Sequence, residues 1–374
     1  MILYASLAAV TIVLALLVDN KCAKLKYGFS RQQVLNGLSL LSVFLLLFAV
    51  SALRLNVGND YAKYVEFFHL IRCKLDTPTV VPTECGFNLV CILIYLISGR
   101  NENYLLMFAV FAFVTILLFL KAMYRQADSF AFTFFVFMCF GYYFQTFSTV
   151  RYYLALAIAL YCIPYVINKE WVKFVFFILL GATFHKSLII VLPLYYLAQR
   201  SWKKYQLVIM AAFASTFFFF QDFYMKLFLM VYPTYEETEY LEAGTSVINI
   251  IRCGAILILS LCLYKKLIKD NRRMSFFFYC NLGALVLYVC CSFLPVISRI
   301  GYYLTITHIF FIPALVNGIK NTKLRKLIKI GVIVALIGYL AIFLLYKAGA
   351  NGLRILPYQT FLFHDMVNIL SDVS

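Results

Sequence analysis

Residues 34–53 read VLNGLSLLSVFLLLFAVSAL, a run with no charged side chain, and Arg54-Leu55-Asn56-Val57-Gly58-Asn59-Asp60-Tyr61 follows at once. A helix rises about 1.5 Å per residue, so about 20 apolar residues cover the hydrocarbon layer of a bilayer. The run is therefore a membrane span that ends on a polar, arginine-led loop. Runs of the same kind recur along the chain at Ile2–Val18, Tyr104–Leu120, Phe130–Phe147, Tyr152–Ile167, Val172–Phe184 and Ser187–Ala198. They continue at Gln206–Phe220, Val247–Tyr264, Ser275–Pro295, Tyr302–Gly318 and Ile328–Tyr346. The expectation is an all-α polytopic membrane protein of about twelve transmembrane helices in one integral membrane domain, residues 1–374. Gly86–Ser98 is too short for a span and is expected to be re-entrant or interfacial. Composition agrees: 64% of the 374 residues are hydrophobic and 13% charged, against roughly 45–50% and 25% in soluble domains.

The net charge of +17 would suggest nucleic acid in a soluble protein, but here it follows the spans. If the segments after every odd-numbered span face the cytoplasm, they hold 21 basic residues and four acids. That is the positive-inside pattern, and counting Gly86–Ser98 as a crossing destroys it. No nucleic-acid partner is expected. The long segments fall on the other side: external loops 54–103 and 221–246, and a C-terminal tail, 347–374. The first run lacks a basic leader and a cleavage site, so it is read as a span rather than a signal peptide.

Most cysteines lie in or beside spans, where they act as small hydrophobes, and no cysteine or histidine spacing suits a metal. Cys73 and Cys85 share the first external loop and could pair in an oxidising compartment. Glu236, Glu237, Glu239 and Glu242 are read as a solvated loop face. Proton- or sodium-coupled transporters carry acids at depth; the twelve spans hold no Asp or Glu.

The unusual polar residues gather at the outer ends of the spans: Arg54, Asp60, Tyr64, Arg151, His185, Lys186, Arg299, Tyr303 and, in the tail, Arg354. An arginine at a span end can simply snorkel to the headgroups. Yet the positive-inside bias disfavours arginine on this face, and guanidinium forks suit phosphate oxygens. Arg299 and Tyr303 are four apart and would share one helix face. His185 lies between two short apolar runs, Val172–Phe184 and Ser187–Ala198, which would hold it and Lys186 in a recess. Its unperturbed pKa of about 6.5 suits a general base; a structural histidine bonded to a neighbouring helix is the plainer reading. Asp60 is the alternative base. One carboxylate beside Asn59, rather than a pair of acids at that spot, argues for metal-independent chemistry.

These residues give the chain its resemblance to the EpsG-like branch of the Wzy-type polysaccharide polymerases. The family's Arg-x3-Gly-x-Asp-x3-Tyr motif is matched by Arg54, Gly58, Asp60 and Tyr64, and Glu-x-Gly-aromatic by Glu84, Gly86 and Phe87. Arg-Gln-x-x-Ala becomes Arg151-Tyr152-Tyr153-Leu154-Ala155, with tyrosine in place of the usual glutamine. Phe-His-x-Ser is Phe184 to Ser187, and Arg-x3-Tyr is Arg299 to Tyr303. The resemblance implies a GT-C-like core in a bacterial inner (cytoplasmic) membrane with the active site on the periplasmic side. It implies inverting transfer between undecaprenyl-diphosphate-linked glycans, without a cofactor. Arg54, Arg151, Arg299 and Arg354 would bind diphosphate, His185 or Asp60 would be the base, and Tyr64, Glu84, Lys186 and Tyr303 would position sugar or base. Membrane lipid, a chain-length regulator and a flippase are the implied partners. A lipid-linked oligosaccharide flippase or an O-antigen ligase would use similar cationic groups.

Overall fold

The computed structural model describes residues 1–22, 28, 30–76, 83–231, 247–295 and 297–363, of which residues 72–76 and 231 are described by backbone alone. The acidic cluster at 236–242 and the Cys73 side chain lie outside the described residues. The helices are α1 (Ile2–Leu16), α2 (Arg31–Ala52), α3 (Tyr61–Asp76), α4 (Cys85–Ile97), α5 (Tyr104–Gln126), α6 (Phe130–Cys139), α7 (Tyr142–Gln145), α8 (Val150–Ile167) and α9 (Trp171–Ala182). A 3-10 turn, Lys186–Ile190, leads into α10 (Val191–Gln199), then α11 (Lys204–Phe219), α12 (Gln221–Val231), α13 (Val247–Cys262), α14 (Arg272–Cys290), α15 (Ile297–Thr305), α16 (His308–Asn317) and α17 (Thr322–Ile342). Among the described residues there is no strand, only an isolated antiparallel bridge between Arg54 and Thr360.

The all-helical, multi-span reading holds. Twelve full-length spans are not confirmed: among the described residues six helical stretches are long and apolar enough to cross a membrane, or seven with the pair α11–α12, bent by 84°. The remaining apolar helices are short. Phe130–Phe147, expected as one span, breaks where Gly141 takes a left-handed conformation (φ 72°) between α6 and α7. Apolar length measured on the sequence cannot register such a break, because every residue around it stays hydrophobic. Gly86–Ser98, set apart as too short, is the 13-residue α4.

The chain forms two compact units. The first comprises Met1–Tyr161, Phe176–Leu188 and Thr322–Ser374; the second comprises Cys162–Val175 and Ile189–Asn321. In the second, α14 is the central helix, packed by α10, α11, α13, α15 and α16. In the first, α2 packs on α1 and α5, and α6 on α1, α5 and α17.

α3 belongs to the first unit and lies in what reads on the sequence as one long external segment. It is too charged to span, but Tyr61, Tyr64, Val65, Phe68 and Ile71 are buried while Lys63 and Glu66 are exposed. That helical spacing makes one apolar stripe. The stripe packs into a core with Phe87 and Cys91 of α4, Met107, Phe108 and Phe111 of α5, and Val150 and Leu154 of α8. The core places the start of α8, the start of α4 and the start of α3 together.

Candidate site at the start of helix α8

The first-unit site is built on two glycines. Gly58 has φ +111°, and a Cβ there would stand 2.1 Å from the Phe147 carbonyl oxygen. Only glycine lets the 54–60 loop lie against the turn that precedes Arg151. Gly86 opens α4 against the 183 turn: its amide donates to the Thr183 carbonyl at 2.8 Å, and a Cβ would stand 2.5 Å from the Thr183 hydroxyl. The glycines of the two motifs thus act by backbone approach, one docking the Asp60 loop and the other docking the His185 turn.

Glu84, just before α4, joins two other candidate residues. One carboxylate oxygen pairs with the Arg151 guanidinium, and the other accepts the Lys186 backbone amide at 3.1 Å. Arg151 and Glu84 side chains are 15% and 19% exposed. The Arg151 guanidinium carbon lies 5.1 Å from the Phe87 ring centre and 5.6 Å from those of Tyr64 and Phe67. Its buried Nε–H has no hydrogen-bond partner among the described residues. The Tyr64 hydroxyl accepts the Arg151 backbone amide at 3.3 Å. Burial pushes the Tyr64 phenol above its ordinary value, with Arg151 opposing and Asp60 reinforcing the shift.

His185 is half-buried in the turn that Gly86 and Glu84 hold. Its Nδ1 accepts the Ser187 backbone amide at 3.3 Å and lies 2.8 Å from the Ser187 hydroxyl oxygen. Tyr152, in the position of the family's glutamine, is 3% exposed and stands edge-on to the His185 ring at 5.6 Å. That departure therefore puts a ring against the histidine. Asp60 is half-buried and opens α3, its carbonyl accepting the Tyr64 amide at 2.9 Å.

Arg54 is differently placed. It is 1% exposed, its guanidinium carbon 5.0 Å from the ring centres of both Phe108 and Phe147. Nη1 donates to the Ser51 carbonyl and hydroxyl oxygens, both at 2.8 Å. Burial lowers its pKa from the usual guanidinium value, offset in part by surrounding tyrosine oxygens.

The C-terminal segment straps this loop. Leu55 donates to the Gln359 carbonyl at 2.9 Å, Gly58 to that of Arg354 at 2.9 Å, and the Asn59 side chain to that of Gly352 at 2.7 Å. Arg354 therefore holds the loop through its backbone, at φ 51°, while its side chain is exposed. Sequence reading of a free external tail missed this strap. The contacts join segments some 300 residues apart and end on backbone carbonyls of the strap, so side-chain pattern carries little trace of them.

A cavity of about 270 Å³ opens in the same unit, with an entirely apolar lining that includes Val90, Val110, Phe111, Leu154, Ile158 and Phe184. Leu154 is three residues beyond Arg151, and Phe184 immediately precedes His185.

Arg299 and Tyr303 lie in the second unit, on α15, where Tyr303 is fully buried and its carbonyl accepts the Tyr195 hydroxyl at 2.8 Å. Polar residues that the sequence reading passed over also lie there: Arg252 on α13 and His308, 0% exposed, at the start of α16. A search for acids in spans could not find them; a search for any ionisable group would have. In the first unit it also missed His69, whose Nδ1 lies 2.9 Å from Glu102, a pairing that no local motif announces.

Comparison with known proteins adds the family. No curated protein and no solved structure matches the chain. The model of the EpsG family matches residues 38–360, which takes in every motif from Arg54 through Arg354. The glycines that dock the two loops, the arginine and glutamate they bring together and this match over most of the sequence place the chain in the EpsG family, a family of Wzy-type polysaccharide polymerases.

Proposed function

We propose that the protein joins lipid-diphosphate-linked oligosaccharide repeat units by inverting glycosyl transfer, without a metal, at the periplasmic face of a bacterial inner membrane. In this reading the core is GT-C-like, and the substrates are undecaprenyl-diphosphate glycans. The observation that carries it is the Glu84 bridge. A carboxylate pairs with the Arg151 fork and takes the Lys186 amide, in positions that phosphate oxygens can take instead. A partly buried ion pair recovers little more than its desolvation cost, so exchanging the carboxylate for a diphosphate costs little. The Arg151 Nε–H, which has no partner among the described residues, supplies a further donor.

The apolar cavity supports the same reading, since it begins on the residues that follow Arg151 and precede His185. An isoprenoid chain lodged there would leave its diphosphate near the cationic end. At about 270 Å³ it takes only the first stretch of such a chain. The roles then divide. Arg151 and Lys186 hold the donor diphosphate, Tyr64 positions Arg151, Glu84 holds Arg151 until the diphosphate takes its place, and His185 and Asp60 are the candidates for proton chemistry. Arg54 acts from beneath by fixing the loop that carries Asp60. Arg299 and Tyr303 of the second unit, and separately Arg354 of the strap, are further candidates for diphosphate and sugar contacts.

Purified protein in vesicles, given a lipid-diphosphate repeat unit in the presence of chelator, tests the proposal. A ladder of products rising by one repeat is expected. Arg299→Ala should remove the ladder while leaving the protein inserted. Transfer of unaltered substrate across the bilayer, with no ladder, would replace the polymerase by a flippase.

A further inference from the structure

Each round of glycosyl transfer leaves a lipid diphosphate, stripped of its glycan, in the site, and it must leave before the next donor enters. A guanidinium fork binds phosphate oxygens tightly, so a fork with no competing anion would hold that product. Glu84 is placed to compete. One of its carboxylate oxygens pairs with the Arg151 guanidinium and the other accepts the Lys186 backbone amide at 3.1 Å. Other groups already aim the fork. The guanidinium carbon is walled by the Phe87 ring at 5.1 Å and by the Tyr64 and Phe67 rings at 5.6 Å. The Tyr64 hydroxyl accepts the Arg151 amide at 3.3 Å. A carboxylate is therefore not needed to orient Arg151, and its presence there means that any incoming anion has to displace it.

The carboxylate also has a second seat within reach. Glu84 is the N-cap residue of α4, with extended backbone, yet its side chain caps none of the helix amides. The start of a helix carries N–H groups without intrahelical partners and a partial positive charge that favours a carboxylate. The two seats are alternatives for one side chain. Whichever anion holds the Arg151 fork decides which of them Glu84 takes.

We infer that Glu84 is a built-in competitor for the diphosphate: the donor drives it from Arg151 to the start of α4, and its return drives the product diphosphate out. This rests on the diphosphate reading of the site and assigns its release step. No covalent bond is made or broken in the exchange; one anion replaces another on Arg151, and the Lys186 amide passes from carboxylate to phosphate. An internal competitor lowers apparent affinity by the fraction of molecules in which the fork is open. Removing its charge therefore tightens diphosphate binding. A residue that merely positions Arg151 has the opposite signature, since its loss weakens binding.

Binding of undecaprenyl diphosphate to the purified full-length protein reads the sign. Glu84→Gln keeps the size of the side chain and an oxygen for the Lys186 amide but carries no charge. It should bind about tenfold or more tightly than the parent, because a charge-assisted bond is lost from the empty site alone. Glu84→Asp keeps the charge at the start of α4 but loses reach to the fork, and should tighten binding as well. In vesicles with excess lipid-diphosphate repeat unit, Glu84→Gln should complete its first transfer at the parental rate or faster. It should then slow as undecaprenyl diphosphate accumulates, and added undecaprenyl diphosphate should inhibit it at lower concentration than the parent. Binding by the folded variants that is equal to or weaker than the parent's would overturn the inference and leave Glu84 as a positioning residue. A parent that binds no undecaprenyl diphosphate would overturn it too. Tighter binding by both variants of a parent that makes no ladder would instead count against the glycosyl-transfer reading alone.

Discussion

Arg54 and Arg151 open two of the same family's motifs, and both have an Nε–H in the first unit with no hydrogen-bond partner among the described residues, yet their surroundings differ in kind. Arg54 is roofed by the Phe108 and Phe147 rings, bonded to its own helix end through Ser51 and 1% exposed. Arg151 is also walled by rings, but its fork meets a carboxylate from another helix that is itself 19% exposed. A cation bonded to backbone has nothing to exchange. A cation held by a carboxylate can trade it for another anion. In the proposed function the same side chain therefore belongs to the scaffold in one place and to the diphosphate site in the other.

The largest effect should come from Arg151. Each charge-assisted hydrogen bond contributes about 1.5–3 kcal/mol, so Arg151→Ala should lower polymer output by about 100-fold or more at normal membrane levels. Arg151→Lys, which keeps the charge but loses the fork, should not restore it; full restoration would make Arg151 a mere counter-ion to Glu84. Gly58→Ala should act on folding. A Cβ 2.1 Å from a carbonyl oxygen, at φ +111°, costs about 3 kcal/mol or more in strain and overlap. Reduced inserted protein and a lower unfolding temperature should follow, and an unaffected Gly58→Ala would sever the loop from the Phe147 turn.

Arg54→Lys should come next, at about 1–2 kcal/mol for the lost fork on Ser51, read as a lower unfolding temperature with activity per folded molecule preserved. A selective loss of activity at unchanged stability would move Arg54 into the binding site. Tyr64→Phe should be mildest. It removes the acceptor of the Arg151 amide, worth about 1 kcal/mol. The expected result is a loss of a few-fold in activity, and a loss matching Arg151→Ala would give the phenol a direct role.

The membrane class was legible in residues 34–53 and their repeats, because apolar length alone specifies a span. The break at Gly141 was not, since the run around it stays apolar on both sides. The α3 stripe was written in the sequence at helical spacing, from Tyr61 to Ile71, but is masked by the charges between. In the site, the residue types and their order were readable, and Glu84, Arg151 and Lys186 do converge. Their burial was not readable. Nothing local distinguishes Arg54 from Arg151, because the rings that cover Arg54 come from α5 and from the 147 turn. The strap from 352 to 361 was equally hidden, being made by backbone groups.

Binding of undecaprenyl diphosphate to the purified protein, titrated for the parent, Arg151→Ala and Arg54→Lys, tests this division most directly. The account predicts that Arg151→Ala weakens binding by about tenfold or more while folded Arg54→Lys stays within about threefold of the parent. Equal losses in the two variants, with both folded, would contradict it.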